Sequence, residues 1–390
     1  MELANRIANL STAIFSEMEK LRIEEEKKGK KIINLSIGSP DLPPPPHVMQ
    51  ALVEGVSNPD NYGYALTKGM TELRNSISKY YLERFNVVLD PEQEVLSLMG
   101  SQDGLAHIYL AFLNQGDWAL IPDPGYPIYS FGVHLAGGQI YSMPLYKEND
   151  FLPDLTQIPK EIALKAKIMM LNYPNNPNAA IANENFYQKV VEFAKEYNIL
   201  VCHDIAYAEL AFDGYKPISF LSIPGAREIG VEMYSVSKSF NMAGCRLGCI
   251  VGNRNALKAL ETIKSNIDYG IFKPVQMAAK AALEGSNKWT KQLADTYAER
   301  RDVLVDGLNS LGWDVDKPKA SMFVWAPIPN SYKSSKEFAV DLLKKTGVVV
   351  VPGSAFGTQG DRYVRFALVC SKEKLQTAIK KIGECYNFKY

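Results

Sequence analysis

The order of the elements predicts an α/β protein: a large domain with a mostly parallel sheet flanked by helices, followed by a smaller α+β domain. Three observations carry this reading. From about residue 94, short apolar runs alternate with helical stretches, the pattern of a parallel sheet covered on both faces. Beyond Leu311 the pattern turns mixed and β-rich. At 390 residues, 46% of them hydrophobic, the chain is long enough to fill two cores.

The elements follow in chain order. Residues 3–29 open with helical spacing at Leu3, Ile7, Leu10 and Ile14 and then become highly charged. Pro43–Pro46 breaks structure and marks the passage from an N-terminal arm into the main domain. Strands are expected at Glu94–Met99, Trp118–Pro122, Gln139–Met143, Ile168–Leu171, Ile199–Cys202, Glu232–Val236 and Leu247–Val251. The clearest helix between them is Asn183–Tyr197, with a stripe of Phe186, Val190, Val191 and Phe193. A long helical region after 268 breaks near Gly285-Ser286. The second domain is read from strands at Ser321–Trp325, Val348–Val351 and Tyr363–Leu368 and a final helix from about Lys372. The expected division is an arm at 1–46 that joins the small domain, a large domain at 47–290 and a small domain at 291–390.

Charge narrows the function classes. Lys plus Arg and Asp plus Glu are both 43, so there is no electrostatic footprint for nucleic acid and no polybasic membrane anchor. No apolar run reaches membrane-spanning length, and Asn5, Asn9, Glu17 and Glu19 interrupt any signal-peptide core at the N-terminus. The five cysteines are odd in number and contain no C-x-x-C pair, so reduced thiols and a cytoplasmic location are expected. No metal-ligand cluster is read from the sequence. The partners implied are small molecules or a second copy of the chain.

Several segments concentrate chemistry. Tyr234–Gly248 runs from an apolar strand into a Ser-rich turn containing Lys238, with Arg246 eight positions later. A nucleophilic lysine must lose its proton near neutral pH, which burial and nearby positive charge promote. Ser235, Ser237 and Arg246 are groups that a phosphate monoester would bind. A solvated turn lysine would look the same in isolation. Asp204 ends a buried strand, where an acid needs a cationic partner or caps a following helix. Leu171–Asn178, rich in Asn and Pro, reads by itself as a turn. Gly100–Leu105 joins a strand to a helix whose first N–H groups, at Ser101 and Gln102, can hold a phosphate or simply be capped by serine. Tyr126 is either a ring for stacking or ordinary packing. Arg365, among apolar neighbours, requires a planar anion, either a substrate carboxylate or a structural acid. Gly38 sits in a Gly-Ser-Pro turn, and Tyr62–Gly69 reads as a loop with tyrosines.

Taken in order, these segments resemble the class I/II aminotransferases, which are pyridoxal 5′-phosphate (PLP) enzymes of fold type I. The resemblance spans about residues 30–370 and looks closest to the bacterial subgroup containing LL-diaminopimelate, aspartate and alanine aminotransferases. It implies that Lys238 is the Schiff-base residue and that Ser101, Gln102, Ser235 and Arg246 hold the phosphate. It also implies that Asp204 faces the pyridinium nitrogen, that Asn176 and Tyr207 face the ring O3′, and that Tyr126 stacks on the ring. Arg365 and Gly38, together with Asn176, would receive the substrate carboxylate. Tyr64 would reach the phosphate of a neighbouring subunit, making a homodimer with composite sites. Two departures stand out: Asn178-Ala179 where the family has Thr-Gly, and Cys245 where it has Trp. The activity implied moves an amino group between an L-amino acid and a 2-oxo acid in two half-reactions, with freed Lys238 as general base and acid.

Two rival readings share the fold: a PLP-dependent C–S β-lyase, and a non-catalytic PLP-binding regulatory module fused to a DNA-binding head. The second would need an extra N-terminal domain, for which about 30 residues are expected to be too few, and a basic character that is absent. A dicarboxylic substrate would require a second cation, for which Lys68 and Arg22 are the candidates.

Overall fold

The computed structural model describes residues 13–388. The helical spacing at Leu3, Ile7 and Leu10 lies outside them. Helices of two or more turns are α1 (Ala13–Lys27), α2 (Pro46–Ser57), α3 (Thr71–Phe85), α4 (Ser101–Phe112), α5 (Ile128–Ala136), α6 (Glu184–Tyr197), α7 (Arg254–Ile267), α8 (Lys273–Glu284), α9 (Lys288–Ser310), α10 (Ser335–Thr346) and α11 (Lys372–Cys385). The strands are β1 (Ile33–Asn34), β2 (Val95–Leu98), β3 (Trp118–Asp123), β4 (Gln139–Pro144), β5 (Ala166–Asn172), β6 (Leu200–Asp204), β7 (Gly230–Ser235), β8 (Gly248–Gly252), β9 (Phe323–Pro327), β10 (Val348–Val349), β11 (Val351–Pro352) and β12 (Tyr363–Ala367).

The large sheet has the order β2-β8-β7-β6-β5-β3-β4. Only β8 runs against its neighbours; the other pairings are parallel. Side chains alternate between its faces, as a period of two requires. Leu120, Met169, Leu171, Val201 and Tyr234 enter one core with Leu73, Ile77 and Tyr81 of α3 and Val190 and Val191 of α6. Ile121, Ile168, Met170, Cys202 and Met233 enter the other with Leu105 and Ile108 of α4 and Leu257 and Leu260 of α7. The inner strands are thus apolar on both sides, which is why the sequence shows continuous runs; the edge strand β4 exposes Gln139 and Ser142.

Local signals fix the helices. The Asn183 side chain accepts the Phe186 N–H and starts α6, whose stripe Phe186, Tyr187, Val190, Val191 and Ala194 is buried; Asn198, with φ of 54°, stops it. The long region after 268 divides into α8 and α9 around Gly285.

A second core gathers Met18 of α1, Leu35, Leu304 and Leu308 of α9, Phe338 and Leu342 of α10, and Leu375 and Ile382 of α11. Its sheets are β11-β12-β9, antiparallel, and the parallel pair β1-β10. The arm therefore contributes both a strand and core residues to this unit. The run Val348–Val351 splits into two strands in different sheets, and β9 begins at Phe323 rather than Ser321, since Ser321 turns at φ of 76°.

Candidate active site

The carboxyl ends of the parallel strands converge on one edge of the large sheet, the place where open α/β sheets bind ligands. Asp204 ends β6, Ser235 ends β7, and Gly100 and Ser101 follow β2. Because β8 is antiparallel, its start lies at this same edge. Gly248 is opposite both Ser235 and Leu98, which brings Arg246, two residues earlier, against the start of α4. The approach is tight: a Cβ at Gly100 would lie 2.6 Å from Arg246 Nη2.

Asp204, Ser235, Ser101 and Arg246 line a cavity of about 210 Å³ with Gly38, Gln102, Tyr126, Asn176, Tyr207 and Lys238. Arg365 of β12 completes it from the second sheet. The structure therefore brings every site residue read from the sequence into one cavity except Tyr64, which is 93% exposed and packs on Tyr269 at 5.5 Å between ring centroids. Neither candidate second cation lines it. Arg22 is paired to Glu19 and Glu26, and Lys68 lies 3.8 Å from Glu261.

Charge in the cavity is unbalanced in a way that invites a ligand. Asp204 is buried, accepts hydrogen bonds from the Tyr129 hydroxyl at 2.8 Å and the Ala206 N–H at 3.1 Å, and among the described residues has no cationic hydrogen-bond partner. Burial pushes its carboxyl up, against the stabilising hydrogen bonds. Its side chain makes a local turn with Ala206 and no helix follows, so the helix-cap reading is replaced. Arg365 is 5% exposed. Its Nη1 donates to Asn176 Oδ1 at 2.7 Å and its Nη2 to the Ser36 carbonyl at 2.8 Å. The guanidinium lies over Phe323 and Phe356, 4.1 and 4.7 Å from their centroids. Among the described residues no carboxylate pairs with it, and burial draws its pKa down to about 10. Lys238 donates to the Gly38 carbonyl at 2.5 Å. Burial, then Arg365 and Arg246, lower its pKa to about 8, with Asp204 opposing.

Residues 30–382 match the aminotransferase class I and II family. The chain belongs to this family. This aminotransferase is 47% identical to the LL-diaminopimelate aminotransferase of Moorella thermoacetica over 382 residues, 98% of each chain. It is 46% identical to that of Dehalococcoides mccartyi, covering 100% of this chain and 99% of the relative. Among solved structures it resembles apo-BacF from Bacillus subtilis, with 41% identity, a TM-score of 0.96 and full coverage of both chains. It also resembles a probable N-succinyldiaminopimelate aminotransferase from Thermus thermophilus, at 35% identity and a TM-score of 0.91, covering 96% of this chain and 100% of that one. The enzyme is a PLP-dependent aminotransferase of fold type I, moving an amino group between an amino acid and a 2-oxo acid, and the lyase and regulatory readings are set aside.

The cavity fits that cofactor. Asp204 is an acid lacking a cation, as a pyridinium nitrogen would supply. The first N–H groups of α4, which have no partner within a helix, lie beside the Arg246 guanidinium, as a phosphate requires. A Cβ at Gly38 would meet the Phe323 ring at 2.9 Å, so any side chain there would displace that ring.

Several contributors carry no sequence signal. Tyr129 holds Asp204 from α5. Asn172, at the end of β5, donates to the Asp204 carbonyl at 2.8 Å and accepts the Asn176 N–H at 2.7 Å, so it sets the loop bearing Asn176. Phe15, Phe323 and Phe356 line the cavity. The departure at Asn178-Ala179 has a local consequence: Ala179 adopts φ of 60°, where the family's glycine would be unstrained. Asn176 is held regardless. Nothing in the structure explains Cys245.

Proposed function

We propose that the three unbalanced groups around this cavity have distinct roles in amino transfer, with Lys238 moving the proton. The observation that carries the reading is their convergence: a buried acid without a cation, a buried arginine without an anion, and between them an amine whose pKa is pulled toward neutrality. The N–H groups of Ser101 and Gln102, the hydroxyls of Ser235 and Ser237, and Arg246 hold the phosphate of PLP. Bound there, PLP supplies an aldehyde that takes up the amino group and a conjugated ring that delocalises the electron pair left when the Cα–H bond breaks. Asp204 keeps the ring nitrogen protonated; the hydrogen bonds from Tyr129 and Ala206 favour its ionised form against burial and orient it. Asn176 and Tyr207 bind O3′, and Tyr126 covers the ring face.

Arg365 receives the α-carboxylate of the substrate through its planar fork. Gly38 lets the chain approach the same carboxylate. As a free amine, Lys238 would take the proton from the substrate Cα and, as the conjugate acid, give it back at the carbon that had been the cofactor's aldehyde. A pKa near 8 leaves a useful fraction of free amine at neutral pH and a conjugate acid strong enough to give the proton back. Lys238→Ala is expected to abolish transamination while retaining the fold by circular dichroism. Substantial turnover by that variant would overturn the assignment.

The active unit in this reading is a homodimer. Tyr62, Tyr64, Leu66, Tyr269 and Phe272 are exposed, and Tyr64–Tyr269 and Tyr62–Phe272 are in ring contact at 5.5 and 5.4 Å. Contiguous exposed apolar surface of this kind is characteristic of an interface. Tyr64 then serves the partner's cofactor rather than its own chain's. Free cysteines throughout the described residues, together with the absence there of a helix long and apolar enough to span a membrane, support a cytoplasmic location. The relatives' names make LL-diaminopimelate one amino acid to offer; its distal end would need polar partners.

A further inference from the structure

The exposed aromatic face is carried by two stretches of chain, the Tyr62–Gly69 loop and the link Asp268–Phe272 between α7 and α8. Their aromatic side chains stand in solvent, yet their backbones are fastened from behind. Gln276 of α8 is fully buried. Its amide accepts the Met70 N–H at 2.6 Å and donates to the Ile271 carbonyl at 2.6 Å, so one side chain ties the foot of the loop to the link. Gly270 leaves no gap between them: a Cβ there would lie 2.6 Å from the carbonyl oxygens of Ala65 and Leu66. Arg74 of α3, also buried, donates from Nη1 to the Gly69 carbonyl at 2.6 Å and from Nε to the Pro91 carbonyl at 2.9 Å.

A loop whose tyrosines only met water would need no such fastening. Burying a side-chain amide costs free energy unless both of its ends are bonded, and here both bonds go to backbone at the base of an exposed segment. Fixing that backbone in advance removes the ordering cost that a binding loop otherwise carries. The fastening does nothing for this chain's own cavity. Among the described residues, its walls include neither Gln276 nor Arg74 nor any part of Tyr62–Gly69.

We infer that Gln276 is a positioning residue acting in trans: it holds the Tyr62–Gly69 loop at the height from which the Tyr64 hydroxyl reaches the phosphate of PLP in the other subunit, with Arg74 anchoring the end of the loop. The inference rests on the composite homodimer proposed above. Its consequence is specific. Loss of the Gln276 amide weakens cofactor binding in the neighbouring subunit and leaves the site of its own chain unaltered.

Two mixed dimers of identical overall composition test this. In the first, Gln276→Met and Lys238→Ala are on one chain and the other chain is unaltered, so the site that keeps Lys238 receives the loosened loop. In the second, the two substitutions are on different chains, and the site that keeps Lys238 receives an unaltered loop. The visible band of lysine-bound PLP counts only that site, so titration with PLP reads its affinity, and a general loss of stability affects both dimers alike. The expected result is an affinity about tenfold weaker in the first dimer than in the second, the lower end of what one hydrogen bond to a charged group contributes. Equal affinities in the two dimers would overturn the inference, whether both are weakened or neither is. Gln276→Glu, which keeps the acceptor for the Met70 N–H and loses the donor to Ile271, should give the same asymmetry and serves if the methionine chain does not fold. Tyr64→Ala in the same two arrangements separates the inference from the reading beneath it. If its effect does not depend on the arrangement, the composite site falls and the inference with it; if only the Tyr64→Ala effect depends on the arrangement, the inference alone falls.

Discussion

Replacing Arg365 with methionine separates binding from folding. The guanidinium presents two N–H donors, now occupied by Asn176 Oδ1 and the Ser36 carbonyl, that a substrate carboxylate would compete for. Hydrogen bonds to a charged group contribute about 1.5–3 kcal/mol each, so removing the fork should lower kcat/KM by about 10² to 10⁴-fold. Stability should move the other way. A buried arginine whose pKa is drawn down to about 10 has lost about 3 kcal/mol of preference for its charged form. Methionine removes that burden but leaves two acceptors without donors, costing about 1 kcal/mol each. The net expectation for the cofactor-free protein is a gain of about 1 kcal/mol, read as a higher urea midpoint at unchanged slope. A loss of more than about 2 kcal/mol would show that Arg365 is a structural cation, and an unchanged half-reaction rate would refute its role.

Three further perturbations test the remaining groups. Covalent capture of the cofactor aldehyde by the apo-protein should accelerate about tenfold per pH unit below pH 8 and level off above it, because Lys238, depressed to about 8, is half deprotonated there and mostly free amine beyond; a rate still rising at pH 10 would describe an ordinary lysine. Gly100→Ala introduces a side chain at φ of 75° that would crowd Arg246, so cofactor affinity by equilibrium dialysis should fall about tenfold, with about 1–2 kcal/mol of backbone strain. A mixed dimer of Tyr64→Ala and Lys238→Ala subunits should retain one intact site, and inactivity of that mixture would argue against composite sites.

The sequence made the polar part of the site legible because Asp204, Ser235 and Ser101 sit at a strand end or helix start, where a charge or a free N–H needs an explanation. Arg365 lies in the middle of β12 and was legible as a charge among apolar neighbours. The aromatic wall was not legible. Phe323, Phe356 and Tyr129 occupy positions where a buried ring needs no special reason, Phe15 is a half-exposed helix residue, and their meeting depends on register. Antiparallel pairing sets Phe323 opposite Ala367 and Trp325 opposite Arg365, information that no single segment contains. Strand limits failed where apolar residues continue past the last ladder bond. Four consecutive valines from 348 to 351 give no sign that the chain leaves one sheet for another between β10 and β11. Strand β1, two residues long, was missed because its pairing with β10 comes from more than 300 positions away.

The central claim is that this cavity carries PLP on Lys238 and exchanges an amino group through it. The direct measurement is the visible absorption spectrum of the purified protein before and after addition of an L-amino acid. A yellow band that gives way to pyridoxamine absorption, with one equivalent of 2-oxo acid released per site, is the result expected. A protein that shows no band after incubation with PLP, or whose band survives every amino acid offered, would contradict the account.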